Sequence, residues 1–182
     1  MAIEAGTYGL EPPNGRLTIR TARRGAASKA GHDLLIEVQT WGATVQVDAD
    51  PARSVFELNA DSRSFKVLEG TGGVKPLGDK DKDGIVQTVN DEILKGTPIT
   101  FRSTAVRPDG DGRFHVTGDL EIRNGISLVA FDVQISDDHR VSGSATVTQS
   151  DHGIKPYTAL FGALKLADDV EIVVEGTLQP AG

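Results

Sequence analysis

The histidines of this chain are the residues whose chemistry is most accessible near neutral pH, because an imidazole can donate or accept a proton there. His32 and His152 fall at the ends of predicted strands, where one end of a sheet can bring them together, so both are candidate ligand-binding residues. His115 and His139 are interpreted as exposed. The four histidines lack the His-x-His or His-x-x-x-His spacing of a zinc site, and the sequence predicts no metal site.

An acidic run over residues 79–84 is similar to the first half of an EF-hand loop, with carboxylates at positions one, three and five and glycine at position six. Position twelve, where calcium requires a bidentate Glu, is Asn90. No helix is predicted before the run. We interpret these carboxylates as the acidic first turn of a helix, where they oppose the positive end of the helix dipole, and we expect weak or no calcium binding.

Ser150, Asp151 and His152 are the residue types of a nucleophilic triad, but neighbouring residues of a strand point to opposite faces. The sequence contains no Gly-x-Ser-x-Gly elbow and no Gly-x-Gly-x-x-Gly fingerprint between a strand and a helix. It therefore predicts no catalytic residue and no cofactor. The enzymatic alternative that stays open uses His152, His32 or Asp151 as an acid or base on a small or isoprenoid substrate.

Composition excludes several classes of partner. A chain of 182 residues is long enough for one domain with a real core and too short for two ordinary domains. The net charge of −7 disfavours nucleic acid and anionic membrane surfaces as partners. The absence of cysteine removes disulfides and thiolate catalysis.

The first eight residues lack the basic and apolar regions of a secretory signal, and no stretch is long enough for a transmembrane helix. We therefore expect a cytoplasmic protein without stable membrane insertion, or an exported one if a leader precedes this sequence. Whether the chain forms a homodimer stays open, because the sequence identifies no exposed edge strand.

Alternation of apolar and polar residues predicts a series of short strands. Trp41 and Gly42 are interpreted as the turn of a hairpin, and Asp61 and Ser62 as the turn between the next two strands. The pair Asn124-Gly125 predicts a type I′ hairpin turn. The predicted strands are residues 17–21, 34–38, 43–47, 55–60, 63–68, 99–106, 114–122, 126–135, 141–148 and 170–178.

Apolar residues at three- and four-residue steps predict one long helix over residues 80–95. Asp79 or Asp81 is expected to cap its N-terminus, and Gly96 to end it. A short helical turn is expected near Pro156. The expected apolar face of the helix consists of Ile85, Val86, Val89, Ile93 and Leu94.

Consecutive antiparallel strands in one domain favour a closed barrel or a sandwich, because both protect the sheet edges. About eight strands enclose an interior just wide enough for one small ligand. Large apolar residues are the candidates for lining such an interior, although ordinary core packing is the alternative role for each. The candidates are Trp41, Phe56, Phe101, Phe131, Val133, Tyr157 and Phe161.

The order of motifs along nearly the whole chain resembles the YceI family of lipocalin-like polyisoprenoid-binding proteins. At position 152 this chain has His where the family usually has Phe. The resemblance is carried by Tyr8 with Leu10, Gly31-His32-Asp33, residues 98–104, residues 118–125 and, above all, residues 148–176.

The resemblance implies an all-β protein: an eight-stranded antiparallel barrel over residues 1–182, closed at one end by a helix. It also implies binding, sequestration or transport of a long apolar molecule in the barrel, such as a polyisoprenoid, an isoprenoid quinone or a fatty lipid. Two alternatives stay open. One is the enzyme described above, and the other is a structural protein whose barrel is packed solid.

Overall fold

The alternating runs of the sequence form two antiparallel sheets in the computed structural model, which describes residues 3–181. The strands in chain order are β1 (Gly6–Leu10), β2 (Gly15–Arg20), β3 (Arg23–Arg24), β4 (His32–Val38), β5 (Trp41–Val47), β6 (Val55–Ala60), β7 (Phe65–Gly72), β8 (Ile99–Pro108), β9 (Arg113–Ile122), β10 (Gly125–Ile135), β11 (Arg140–Thr148), β12 (Thr158–Ala159), β13 (Leu164–Leu166), β14 (Asp169–Thr177) and β15 (Gln179–Pro180).

The main sheet is strongly curled and antiparallel, and its strand order is β15-β1-β5-β6-β8-β9-β10-β11-β14-β2-β4-β7. A small sheet has the order β12-β13-β3. The expected all-β antiparallel architecture is confirmed. The main sheet contains twelve strands, however, and not the expected eight.

Bends in four extended segments account for the additional strands. The pairs β1 and β2, β4 and β5, β6 and β7, and β14 and β15 each follow one another along the chain with only a short interruption. Between β1 and β2 the interruption contains Pro12 and Pro13, which have no N–H to donate to a ladder. Between β6 and β7 it contains a 3₁₀ turn at Ser62–Ser64.

The hairpin predicted at Trp41-Gly42 is wrong, whereas the turn predicted at Asp61-Ser62 is confirmed as the 3₁₀ turn Ser62–Ser64 capped by Asp61. Strand β4 pairs with β2 and β7, whereas β5 pairs with β1 and β6, so residues 34–38 and 43–47 are successive parts of one bent segment. Trp41 begins β5 instead of forming a turn. Strands β6 and β7 do not pair with each other either, because each continues the ladder with the preceding segment.

The hairpin predicted at Asn124-Gly125 is confirmed, but its turn is shifted by one residue. Ile122 lies opposite Gly125, so the two connecting residues are Arg123 and Asn124. Arg123 has the positive φ, of 58°. Gly125 is the first residue of β10 and lies outside the turn.

The predicted helix is confirmed in position. Helix α1 (Asp79–Thr88) continues into a π-helical segment, Val89–Ile93, two residues short of the predicted end. The expected cap is wrong, since Gly78 precedes the first turn and its N–H donates to Asp81 Oδ2 at 3.0 Å. Four 3₁₀ turns besides Ser62–Ser64 complete the helical segments: Ser28–Ala30, Pro51–Arg53, Gln149–His152 and Leu160–Gly162.

The last of these turns corresponds to the helical turn expected near Pro156, and it begins at Leu160 instead. Among residues 3–181, no helix has the length and apolar character needed to cross a bilayer.

The interior of the curled sheet is filled with side chains at one end. Phe56 of β6 and Phe114 of β9 meet there, with ring centroids 5.9 Å apart. This part of the core, which we call the packed end, contains Tyr8, Leu10, Trp41, Val45, Phe56, Phe114, Val116, Val133, Ile135, Val141 and Leu178, all buried.

The backbones of β2 and β14 approach each other closely at the bend after β1. Gly176 lies opposite Gly15, and a Cβ added to Gly176 would stand 2.4 Å from the carbonyl oxygen of Asn14 and 2.6 Å from the Cα of Gly15. Such distances require the backbone to move. A side chain is therefore excluded at position 176 by its neighbours.

We predict that Gly176→Ala lowers the free energy of unfolding by about 1–3 kcal/mol, as overpacking does elsewhere. Gly42→Ala is the matched control, because a Cβ at Gly42 meets no atom within 4 Å. That control should leave stability unchanged or raise it by about 0.5 kcal/mol, since Ala is less flexible when unfolded. Urea denaturation measures both, and equal losses would contradict the close approach.

Candidate functional site

The other end of the curled sheet encloses a cavity of about 760 Å³. Its walls are the parts of the long strands that lie beyond the packed end, together with α1 and the small sheet. Apolar side chains make up most of the lining; representative ones are Leu17, Ile36, Leu120, Val129, Phe131 and Ile172.

Two aromatic rings form the part of the lining nearest the packed end. Phe101 and Phe131 lie with ring centroids 5.3 Å apart at an interplanar angle of 58°. Gly118 makes room for this arrangement, since a Cβ there would stand 2.6 Å from Cζ of Phe101. On strand β11, which pairs with β10, Gly143 and Ala145 line the cavity with almost no side-chain volume. Large rings on one wall and small residues on another leave the centre open.

Helix α1 and its π-helical continuation cover the cavity. Ile85, Val89 and Ile93 line it and pack against the core, as the three- and four-residue spacing predicted. No residue of α1 is fully buried, because its apolar face borders the cavity and not a filled core. Lys82 Nζ attaches the helix to β7 by donating to the carbonyl oxygen of Leu68 at 2.8 Å.

The ionisable residues that border the cavity are mostly basic. Besides Tyr157 they are Arg23, His32, Lys75, Lys80, Asp81 and Lys165, and a few neutral polar side chains also border it.

Two of these groups are held by the backbone. His32 Nε2 lies 2.8 Å from the carbonyl oxygen of Lys75, which can only accept, so this nitrogen carries the hydrogen. The Arg23 guanidinium donates to the carbonyl oxygens of Gly31 and Thr71, at 2.7 and 3.4 Å.

Four of the nine residues predicted to contact a ligand border the cavity. Phe101 is buried and Phe131 half-buried, whereas Tyr157 is 47% exposed and stands at the edge. The four are His32, Phe101, Phe131 and Tyr157.

The other five do not border it. Trp41, Phe56 and Val133 belong to the packed end, where they fill the core. Phe161 has its side chain wholly in solvent. His152 is 3% exposed, and it faces the hairpin of β9 and β10.

His152 links the 3₁₀ turn Gln149–His152 to that hairpin. Its Nδ1 donates to the carbonyl oxygen of Gly125 at 3.1 Å, so in the neutral ring Nε2 accepts from Ser127 Oγ at 2.8 Å. Gly125 allows this contact, because a Cβ there would stand 2.7 Å from the Cα of His152. Both imidazole nitrogens are therefore used structurally.

The arrangement does not assemble a catalytic group from Ser150, Asp151 and His152. Ser150 Oγ donates to the Asp168 carboxylate, and His152 is paired with Ser127. His32 and His152 share no hydrogen-bond partner, and only His32 borders the cavity.

No three His, Asp or Glu side chains between residues 3 and 181 are grouped closely enough to hold a metal ion. The carboxylates of Asp79, Asp81 and Asp83 lie in the first turns of α1 and not in a loop. Residues two apart on a helix point in different directions, so these three do not converge as EF-hand ligands do.

The sequence did not predict the aliphatic lining of the cavity or the basic residues that border it. The aliphatic residues were visible as the apolar positions of predicted strands, for example Leu17 and Ile19 in residues 17–21. No role was predicted for Lys75 or Lys165, and only the fold places both beside the cavity.

Comparison with known proteins identifies the family. Residues 25–178 match the YceI-like domain. The chain belongs to the YceI-like domain family. None of the curated proteins matches the sequence.

Solved structures of other proteins show a similar fold. Burkholderia cenocepacia BcnA matches with a TM-score of 0.65 and 19% identity, over 90% of this chain and 94% of BcnA. A polyisoprenoid binding domain from Saccharophagus degradans, implicated in plant cell wall breakdown, matches with a TM-score of 0.61 and 9% identity, over 98% and 100%. The Campylobacter jejuni YceI protein gives 0.57 and 14%, over 81% and 84%.

We predict that His152→Phe lowers the free energy of unfolding by about 1–3 kcal/mol, because it leaves the Gly125 carbonyl and the Ser127 hydroxyl without their partner. The control is His115→Phe, which removes only an exposed contact with Asp132 and should cost well under about 1 kcal/mol. Thermal unfolding compares the two variants. A His152→Phe protein as stable as the parent would contradict the structural role.

Proposed function

We propose that this YceI-like protein binds, and thereby sequesters or transports, a long-chain apolar molecule in its cavity. The observation that carries the proposal is the combination of a volume of about 760 Å³ with a lining that is mostly apolar. Ligand pockets typically measure roughly 300–1,000 Å³, so the volume suits one small ligand.

The strand pairing supports an eight-stranded lipocalin-like barrel as the container. If each bent pair of strands is counted as one segment, the main sheet consists of eight segments. Strand β15 follows β14 after the single residue Leu178 and pairs with β1, while β14 pairs with β11. The segment of β14 and β15 thus pairs with the segment of β1 and β2 on one side and with β11 on the other, which supports a sheet that closes on itself.

An apolar chain needs no specific polar contact to be bound in such a cavity. Burial of each methylene contributes about 0.8 kcal/mol, so a dozen methylenes contribute about 10 kcal/mol before the costs of association. A binding function of this kind leaves few sequence motifs.

The family favours an isoprenoid chain as the ligand. One structural relative is described as a polyisoprenoid binding domain. We propose a polyisoprenoid, an isoprenoid quinone or a fatty lipid as the ligand class, bound without a cofactor by a single domain. The cytoplasmic location and the oligomeric state stay predictions from the sequence.

Binding without catalysis is the form of the proposal that the site supports. Both ring nitrogens of His152 are hydrogen-bonded, to Ser127 and to Gly125. Of the residues considered for acid or base chemistry, only His32 borders the cavity. Its Nε2 is used by the carbonyl of Lys75.

We predict that Phe131→Asp lowers the affinity for a fluorescent fatty acid probe by roughly tenfold or more, because it places a carboxylate against hydrocarbon. Leu128→Asp is the matched control, since Leu128 lies on the same strand with 68% of its surface exposed. It should bind the probe like the parent. Fluorescence titration measures both affinities.

Native mass spectrometry of freshly purified protein, followed by organic extraction, tests for a co-purifying lipid. If both variants bind the probe like the parent, or if neither lipid nor probe binds the parent, the carrier function is wrong.

A further inference from the structure

Large apolar side chains are exposed beside the opening of the cavity. Phe161 has a relative exposure of 112%, Val74 of 86% and Leu160 of 55%. Val74 precedes Lys75, which lines the cavity, in the connection from β7 to α1. Leu160 and Phe161 connect β12 to β13, between the lining residues Ala159 and Leu164. A Cβ on Gly31 would stand 2.6 Å from Leu164 Cδ1, and the next residue, His32, bonds the Lys75 carbonyl, so the two loops lie close together at one opening.

The loop around Phe161 has a defined conformation. Leu160 and Phe161 have φ values of 51° and 55°, in the left-handed region that costs free energy for residues with a Cβ. The turn is fixed by the Ala163 N–H, which donates to the Leu160 carbonyl at 3.1 Å, and by the Ala163 carbonyl, which accepts from Ala27 at 2.9 Å. These bonds direct Phe161 away from the core.

The opening also differs in charge from the molecule as a whole. Lys75 and Lys165 border it, and neither forms an ion pair within residues 3–181, whereas Lys80 stands between Asp79 and Asp81 at the start of α1. The one carboxylate in the lining is Asp81, which accepts from the Gly78 N–H. Because charges interact over about 8–10 Å at physiological salt, the local basic charge and not the net −7 acts on a nearby surface.

We propose that this opening docks reversibly on an anionic lipid bilayer. The side chains of Phe161, Leu160 and Val74 enter the headgroup region, and the ammonium groups of Lys75 and Lys165 contact lipid phosphates. Exposed apolar residues among basic ones are the pattern that binds at membrane interfaces without spanning them. The docking rests on the proposed function, because it allows an apolar chain to pass between bilayer and cavity without crossing water.

Charge favours a bilayer over a second copy of the chain as the occupant. Two openings in contact would bring like-charged lysines together, whereas an anionic surface complements them. A second exposed apolar pair, Ile126 and Leu128, lies opposite Glu121 and Asp119, so carboxylates accompany it. Ile126 and Leu128 are exposed like the apolar residues at the opening, but the carboxylates beside them would be repelled by an anionic bilayer.

Vesicle flotation tests the docking. The full chain is mixed with vesicles of phosphatidylcholine alone or of phosphatidylcholine with phosphatidylglycerol, and the vesicle-bound fraction is measured. The parent should bind the anionic vesicles and bind the neutral ones weakly. Added salt should release it.

Leu160→Ser at the opening and Leu128→Ser beside carboxylates form a matched pair of variants, because both leucines are exposed. Phe161→Ser is a third variant. Leu160→Ser and Phe161→Ser should lower the affinity for anionic vesicles, Phe161→Ser by about tenfold because a large apolar side chain no longer enters the interface. Leu128→Ser removes the same kind of side chain beside carboxylates and should change nothing. Lys165→Glu should lower affinity by about fivefold or more, because each basic residue near an anionic leaflet contributes about that factor.

The outcomes separate docking from ligand binding. Phe161→Ser should bind a fluorescent fatty acid added from solution like the parent, because Phe161 does not line the cavity. Docking is wrong if the parent does not bind anionic vesicles, if Leu128→Ser lowers binding as much as Leu160→Ser, or if sedimentation shows that Phe161 holds a homodimer together. Vesicle binding by a parent that takes up no probe would support docking and overturn the carrier function.

Discussion

Strands β7 and β8 of the main sheet follow one another along the chain but do not pair. The gap between them is the feature on which the cavity and its covering helix depend. Strand β8 pairs with β6 from Glu57 to Ala60, whereas β7, beyond the bend at Ser62–Ser64, pairs only with β4. One side of β7 is therefore without a ladder partner, which is an exposed edge that proteins usually cover. The chain covers it locally, since α1 lies between β7 and β8 in sequence and Lys82 takes up a β7 carbonyl.

Side-chain size then decides which end of the sheet is filled. Tyr8, Trp41, Phe56 and Phe114 supply enough volume to meet in the middle of the packed end. At the other end, the lining consists mainly of valines, leucines and isoleucines together with Gly143, and these side chains are too short to fill the interior. One end of the curled sheet is therefore filled by large side chains, whereas the other end borders the cavity.

The sequence predicted inside and outside positions well, because alternation depends only on local geometry. It could not predict which end of each strand borders the cavity, since that depends on how far every segment extends past its bend. Phe131 and Val133 have the same alternation on β10, yet one lines the cavity and the other lies in the packed end.

Turn predictions were close to the structure where the turn depends on local sequence. They were wrong where pairing between distant strands determines the path of the chain. Arg123 and Asn124 form a tight turn next to the predicted pair, but Trp41 and Gly42 lie within a strand whose partners are distant in sequence. His152 illustrates the same limit. Its partners Gly125 and Ser127 lie far from it in sequence, so no local pattern indicates that both imidazole nitrogens are used.

The covering helix connects stability with function. Side chains that border empty space lose the dispersion contacts that a filled core would provide. Ile85, Val89 and Ile93 are in this position, and no residue of α1 is fully buried. An apolar ligand would supply those missing contacts, so occupancy and helix packing stabilise each other, as linkage requires for a ligand that binds only the folded state. The same incomplete packing lowers the cost of moving the helix, and the opening beside it is where apolar and basic residues are exposed together.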